Sequence, residues 1–397
     1  MKESLLFYNS ELARYNSARI ENPILKAKNF VSYNKAHISW SRAFLKDVAT
    51  NRSKSFSNQN IRPALYRPFF KQHLYFSREV NNVVSRMDSF FPTPNHKNLV
   101  ICVHGLGGKK EFSTIVTNCI PDLNCLEAGA KCFPLYTYQE ATTQNPTLFD
   151  PVSPTKYLRR DAISNFILER AQKQYGRGVS KEDVFYYVYG FLHSPKYRKS
   201  FASDLKKMLP RLPLADDPKD FWAFSKAGRK LAHLHLDYET MNKEFVLQDG
   251  VIDFQQSNSP LSPVEIRPLS SVEMNGLVAE PRASFLTPRD YELYRVEKMR
   301  FPSKTNKSKI IFNPHITLVN IPTSAYEYVV NGKSAIEWVM ERYQITTHKE
   351  SGIVNNPNDW ATEHNNPKYI LNLLFRVISL SVETVEIEQG LPVMKFG

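Results

Sequence analysis

Several short runs hold residue types that could do chemistry. His104-Gly-Leu-Gly-Gly108 closes an apolar run, and the N–H groups of such a loop can hold an oxyanion. An α/β-hydrolase-like enzyme built on His104–Gly108 would also need a nucleophile on a sharp strand-to-helix turn, G-x-S-x-G, and no such string occurs. Lys109, Lys110 and Glu111 follow the same glycines. They do not make a nucleotide phosphate loop, because the G-x-x-x-x-G-K-[ST] spacing fails and no hydroxyl follows the lysine to hold magnesium. Asp122, Glu127 and Lys131 are the residue types of a metal nuclease at the wrong spacing, and a surface turn is expected there. Asn366-Pro-Lys-Tyr369 differs by one residue from N-P-P-Y, whose rigid prolines set a carbonyl and an amide oxygen on the amine of an adenine. Lys368 breaks that string, no glycine-rich cofactor loop precedes it, and Asn366 or Pro367 reads as the start of the last long helix. His233 and His235 lie two apart on a predicted helix and point to different sides. The four cysteines, at 102, 119, 125 and 132, contain no C-x2-C pair, so no metal site is expected and they read as reduced, mostly buried thiols.

Charge is what remains. The 52 Lys and Arg against 39 Asp and Glu leave a net charge of +13, which points to a polyanionic partner. Segments 196–211 and 295–309 each carry six basic residues and one acid. Lys206 and Lys207 of the first read as the wet face of a helix. In the second, Lys304, Lys307 and Lys309 are interleaved with Ser303, Thr305, Asn306 and Ser308, all donors to phosphate oxygens. Pro302 stops any preceding helix, and no apolar residue from 303 to 309 could anchor the segment. It reads as an exposed loop along DNA. The glycine loop is a second candidate. Gly105, Gly107 and Gly108 would lie at the exposed end of a buried strand, followed by Lys109, Lys110 and Ser113, so that N–H and ammonium groups make an anion site.

These candidates need elements to position them. A chain of 397 residues, 42% hydrophobic and 12% aromatic, can bury a sizeable core. No run of about 18 apolar residues offers a membrane span, and the start MKESLLFYNSELARYN lacks an apolar leader, so a cytoplasmic location without membrane contact is expected. Residues 1–60 read as a mostly helical connector. Strand signals follow: LYRPFF (65–70) with HLYF (73–76) as a hairpin, NLVICVHG (98–105) as a buried strand, then STIVTNCI (113–120) and CFPLYTY (132–138). Helical periodicity begins at Pro154 and runs to Tyr175, restarts at the Ser180–Asp183 capping box, continues from Tyr197 to Leu209, and closes with Asp216–Tyr238. Beyond 246, EIRPL, KMRF and KIIFN are short strand candidates, Ser334–Tyr343 is an amphipathic helix after the Asn331-Gly332 turn, and Tyr369–Ser379 is another helix. The fold class is α+β: a strand-rich N-terminal lobe, a central helical block and a mixed C-terminal lobe. The expected division is 1–60, a target-recognition core at 61–245, and a C-terminal lobe at 246–397.

Taken together, the strings resemble one family. YRPF (66–69) with LYF (74–76), VHGLGGKKEFS (103–113), CFPLY (132–136), EDVFYYVYGFLHSPKYR (182–198) with LPRLP (209–213), AYEYVVNGKSAIEW (325–338), ERY (341–343) and SGIVNNPNDW (351–360) occur in this order. They are similar to the C-terminal target-recognition region of type ISP restriction-modification enzymes, over roughly residues 40–390. In that family one polypeptide joins a nuclease, a helicase-like ATPase motor, an adenine methyltransferase and, last, the specificity region. The resemblance implies double-stranded DNA as partner, with methyltransferase and helicase/nuclease domains in cis or trans. S-adenosylmethionine, ATP and magnesium would serve those other domains, and no cofactor is expected in this chain. The abrupt helical start at Met1 favours a fragment of a longer enzyme over a stand-alone specificity protein. The shared strings hold packing residues such as Tyr189 and Trp338, so base readers should lie outside them, in 77–97, 107–114 and 280–310. That adds Arg78 and Arg86 to the candidates.

The reading is a sequence-specific DNA-recognition module. Its rivals are the α/β-hydrolase-like enzyme and a basic protein-interaction subunit. The absent nucleotide loop and the broken N-P-K-Y string predict that the purified chain transfers no label from S-adenosylmethionine to DNA; scintillation counting of labelled duplex checks this, and any transfer above blank contradicts it.

Overall fold

The computed structural model describes residues 1–81, 83–141, 156–243, 245–257 and 287–394. The expected EIRPL strand (265–269) lies outside them, as does the part of the 280–310 loop before residue 287.

The N-terminal helices α1 (Lys2–Glu21), α2 (Ala27–Phe30) and α3 (Arg42–Ala49) close their own small core around Tyr8, Leu12, Tyr15, Phe44 and Val48. Ser41 caps α3 by accepting from the Phe44 N–H. Burial pushes the Tyr8 hydroxyl up to about 12, and it donates to the Arg52 carbonyl.

The hairpin read at 65–76 is present as β1 (Ile61–Arg67) and β2 (Phe70–Tyr75), turning at Phe69 with φ 58°. α4 (Met87–Phe90) follows. β3 (Val100–Val103) is the buried strand expected at 98–105, and it pairs antiparallel with both β4 (Thr114–Thr117) and β6 (Lys131–Pro134). β5 (Ile120–Pro121) instead joins β1 in parallel. All four β3 side chains are buried, because side chains alternate across a strand and each face meets a core. Val100 and Cys102 enter the larger core, and Ile101 and Val103 enter the core of the helical block.

The stretch Pro154–Tyr175 is a correction. Residues 154 and 155 lie outside the described set; Tyr157–Asp161 is a strand, β8, paired antiparallel with β7 (Tyr136–Glu140). Only Asn165–Tyr175 is helical, as α5, capped by Ser164. The helical spacing of the apolar residues at 158, 162, 163, 166 and 167 would put Phe166 on a shared face, yet it is 65% exposed. The 132–138 run likewise splits between β6 and β7.

The central helices are α6 (Lys181–Leu192), with the Ser180–Asp183 capping box, α7 (Pro195–Ser200), α8 (Asp204–Lys207) and α9 (Pro218–Leu236). α6 and α9 cross at glycines. A Cβ on Gly190 would sit 2.1 Å from the Phe224 carbonyl oxygen, and one on Gly228 would sit 1.9 Å from that of Tyr186. Only glycine allows backbones this close. Beyond them lie β9 (Leu247–Gln248), β10 (Val251–Asp253), α10 (Phe254–Ser257), α11 (Pro288–Tyr294), β11 (Ile310–Ile311) and β12 (Thr317–Val319); the four strands form one sheet in the order β11-β12-β10-β9. The hairpin β13 (Val329–Val330) and β14 (Lys333–Ser334) turns at Asn331-Gly332, both with positive φ, and leads into α12 (Ala335–Arg342). A second hairpin, β15 (Thr346–Thr347) with β16 (Val354–Asn355), precedes α13 (Pro357–Glu363). The last helix, α14, runs Tyr369–Gln389, longer than read from its periodicity, with Lys368 rather than Asn366 or Pro367 at its N-cap position. The result is α+β, and the largest core draws residues from both sides of residue 245.

A buried polar chain ties β4, α6, α9 and α14 together. The Tyr189 hydroxyl accepts from the Val116 N–H (3.2 Å) and donates to His235 Nδ1 (2.6 Å); His235 Nε2 donates to Thr384 Oγ1 (3.0 Å). Tyr189 and Trp338 are both buried, as packing residues should be. His193 Nδ1 lies 2.7 Å from Glu388, which Arg198 also meets at 3.3 Å.

Burial pushes His193 and His235 below the ordinary histidine value, and His104 down to about 4. These imidazoles stay neutral when folded but take up protons when unfolded. Stability is therefore lost as pH falls below about 6.5, and for His104 the loss continues until about 4. Melting temperature should drop between pH 7.5 and pH 5, with a shallower slope in His104→Gln; a flat profile contradicts the assignment.

Candidate nucleic-acid interface

The glycine loop is built differently from the sequence expectation. Gly105 lies against the chain itself: a Cβ there would sit 1.8 Å from the Ala128 carbonyl oxygen, and its N–H donates to the Glu127 carbonyl. The Gly107 N–H donates to the Lys206 carbonyl of α8. Gly107 has φ +81° and open space beside it, so its need for glycine is conformational, not steric. The N–H groups of Lys110 and Lys109 hold the Glu127 carboxylate and keep its pKa below the ordinary range. The expected backbone anion site is thus filled by the chain's own acid. The same pairing takes up the donors an oxyanion hole would use. Ser113 is buried, and its hydroxyl accepts from the Asn331 N–H, so it serves the fold. The side chains of Lys109 and Lys110 remain exposed.

The second loop meets α12, the helix that follows the Asn331-Gly332 turn. Lys307 pairs with Glu337 of α12 at 2.9 Å and lies over the Phe301 and Tyr326 rings, while its carbonyl accepts from the Tyr326 hydroxyl. Burial pushes the Glu337 carboxyl up, but the Lys307 ammonium and the Ser334 donors bring it below its ordinary value. So an anchor exists for 302–309, and it is a lysine. Lys304 and Lys309 are exposed, and no carboxylate among the described residues pairs with them; Asn306 accepts from the Ser308 N–H and hydroxyl.

These contacts gather both loops at one place. Lys110 packs its stem against Gly332, and Lys307 grips Glu337. Between them Lys333 pairs with Glu341, its own pKa lowered by burial and by Arg342 and Lys110. The N-terminal end of α12 is therefore a basic shoulder. Lys109, Lys110, Lys304 and Lys309 are exposed around it, and Lys307 and Lys333 are tied within it.

Arg78 and Arg86 belong elsewhere. Arg78 pairs with Asp88, while Arg86 is exposed at the start of α4. α4 packs against β7 of the β7–β8 ribbon. One ribbon face lies on the body: Tyr138 is buried, donates to the Lys97 carbonyl and meets the His96 ring, as Tyr157 does, and Arg159 covers Tyr136. Pairing of Thr137 with Arg160 and Gln139 with Leu158 sets those four side chains on the other face. Gln139, Leu158 and Arg160 are exposed there. At the ribbon's root Arg159, Arg160, Asp161, Ser164 and Lys181 line an open concavity of about 590 Å³, where Lys181 pairs with Asp161 at 3.2 Å. The sequence reading missed this ribbon. The signal was present in the Tyr and Leu of YLRRD and in Ser164, an N-cap that ends the strand's segment and starts the helix.

A family model described as the Type ISP C-terminal specificity domain matches residues 1–373. Among solved structures, the chain is similar to the ATP-dependent Type ISP restriction-modification enzyme LlaBIII bound to DNA, at 31% identity and TM-score 0.75 over 100% of this chain. It is similar to a nuclease-deletion mutant of the Type ISP restriction-modification enzyme LlaGI in complex with a DNA substrate mimic, at 34% and 0.72 over 98%. The DrdV–DNA complex matches at 27% and 0.71 over 97%. The chain spans only 22%, 25% and 33% of those three chains. No curated protein sequence matches it. No helix among the described residues is long and apolar enough to cross a membrane.

The lysines of the shoulder should separate by thermal melting. Lys307→Ala should cost about 1 kcal/mol, through lost cation–π and ion-pair contacts. Lys304→Ala and Lys309→Ala should leave the melting temperature unchanged. Equal effects at all three would show that Lys307 anchors nothing.

Proposed function

Since the chain belongs to the Type ISP C-terminal specificity domain family, we propose that it recognises a sequence in double-stranded DNA and positions a methyltransferase and a helicase/nuclease, in cis or in trans, on that site. The observation that carries the reading is the outward face of the β7–β8 ribbon. A two-stranded ribbon fits the major groove, where Gln pairs with adenine and Arg with guanine. Gln139 and Arg160 stand on that face with Leu158 between them across the ladder. The shoulder lysines and the concavity at Arg159 and Lys181 supply phosphate contacts, which hold register without reading sequence. Arg86 adds an exposed cation beside the ribbon. S-adenosylmethionine, ATP and magnesium would act in the other domains of a longer enzyme.

Two sets of variants test this on a duplex carrying the parent system's site. Lys109→Ala, Lys110→Ala, Lys304→Ala and Lys309→Ala together should weaken binding to all sequences alike and lower the salt slope by up to about four. Gln139→Ala and Arg160→Ala should each cost about 1–3 kcal/mol on the preferred site and little on others. A ribbon variant that keeps full discrimination would remove the ribbon as reader. Wild-type affinity that does not fall with salt would remove DNA binding itself.

A further inference from the structure

Away from the shoulder, the structure holds a half-open cavity of about 520 Å³ between β2, the end of α12, β16, α13 and the start of α14. Its walls are aromatic. Trp360 lies on Tyr369 with centroids 4.0 Å apart, and Tyr343 meets Phe70 edge-on at 5.0 Å. Trp360 is 36% exposed at the cavity and is already stacked on His364, with centroids 3.9 Å apart. Such walls accept a flat ring. The rim is not apolar: Gln72 and Asn355, both exposed, and Gln344 bring amides that donate and accept, the groups that pair with a heterocycle's edge.

Charge decides what kind of ring. The one carboxylate in the cavity wall, Glu239, is already taken by Lys71 at 2.6 Å and by the Tyr369 hydroxyl at 3.1 Å. Lys71 and Arg342 line the same wall, Lys71 paired with Glu239 and Arg342 with Glu341, and Arg342 Nε is buried without a hydrogen-bond partner among the described residues. A methylated ammonium, the other guest of aromatic cages, needs a free anion or neutral walls. A flat neutral ring carrying a phosphate suits this charge. The volume accommodates one nucleotide, within the range of small-molecule sites.

We infer that this cavity receives a single unstacked nucleobase with its phosphate. The inference rests on the DNA reading above. The same chemistry could arrive as an extrahelical base of bound DNA or as a free mononucleotide, and the test separates them. At low salt, the chain is titrated with a fully paired duplex, the same duplex carrying one bulged nucleotide, and free deoxynucleoside monophosphates, the last followed by saturation-transfer NMR. An extrahelical base predicts roughly tenfold tighter binding of the bulged duplex, in line with stacking of one base on aromatic side chains. The doubly substituted Gln72→Ala, Asn355→Ala chain, which leaves the core intact, should lose that preference and keep its affinity for paired duplex. A free nucleotide predicts saturable transfer to base protons that disappears in the same variant, without preference for the bulge. Paired duplex bound but neither effect seen overturns the cavity assignment and leaves the DNA reading standing. A bulge preference that survives in the variant overturns it too. No binding to any duplex overturns the DNA reading itself.

Discussion

Strand β3 is buried on both faces, and the placement of both candidate contact regions follows from that. A strand with one wet face can slip by one residue and exchange its faces only at the cost of exposing its apolar set. Here both faces are apolar, so alternation alone does not fix the register, and the ends must do it. At one end Asn98 does so. Its amide N donates to the carbonyls of Phe90 and Tyr136, and its amide oxygen accepts from the N–H groups of Leu99 and Tyr136. At the other end Gly105 lies against the backbone of Ala128, where no side chain fits. The ribbon begins at the first clamp and the glycine loop at the second. Four residues of strand span roughly 10 Å, so the two regions are held at a fixed offset by the most deeply buried segment of the lobe.

The elements were largely legible because their signals are local. The β1–β2 hairpin, β3, the capping box at Ser180, the long helix at 218–236 and the turn at Asn331-Gly332 all declare themselves in a few neighbouring residues. The ribbon did not. Apolar residues at 158, 162, 163, 166 and 167 fit a helical period, yet Leu158 sits on a strand and Phe166 faces water. A period gathered across a strand and the helix after it carries no information about either.

The candidate site was less legible, for a different reason. A lysine's role depends on which carboxylate or ring comes to it from far along the chain. Lys307 looks like its neighbours Lys304 and Lys309, but Glu337 and Tyr326 claim it. The loop after Gly105 looks like an anion nest, and it is one, but Glu127 fills it. Ser113 looks like a phosphate donor and instead caps the turn at Asn331. A net charge of +13 therefore overstates what is free to meet a polyanion. Many cations spend their charge on the fold.

That division has a consequence for how specificity could change. Cations tied into the shoulder cannot be exchanged without loosening α12, since Lys307 holds Glu337 in its first turn and Lys333 holds Glu341 in its last. The outward ribbon face carries no such debt. Gln139, Leu158 and Arg160 are exposed, on strands whose other face is fixed by Tyr138, Tyr157 and His96. Substitution there alters what the ribbon presents without altering where it is presented. A scaffold that fixes position through buried aromatic contacts and leaves the opposite face unconstrained can change the sequence it reads while keeping its fold.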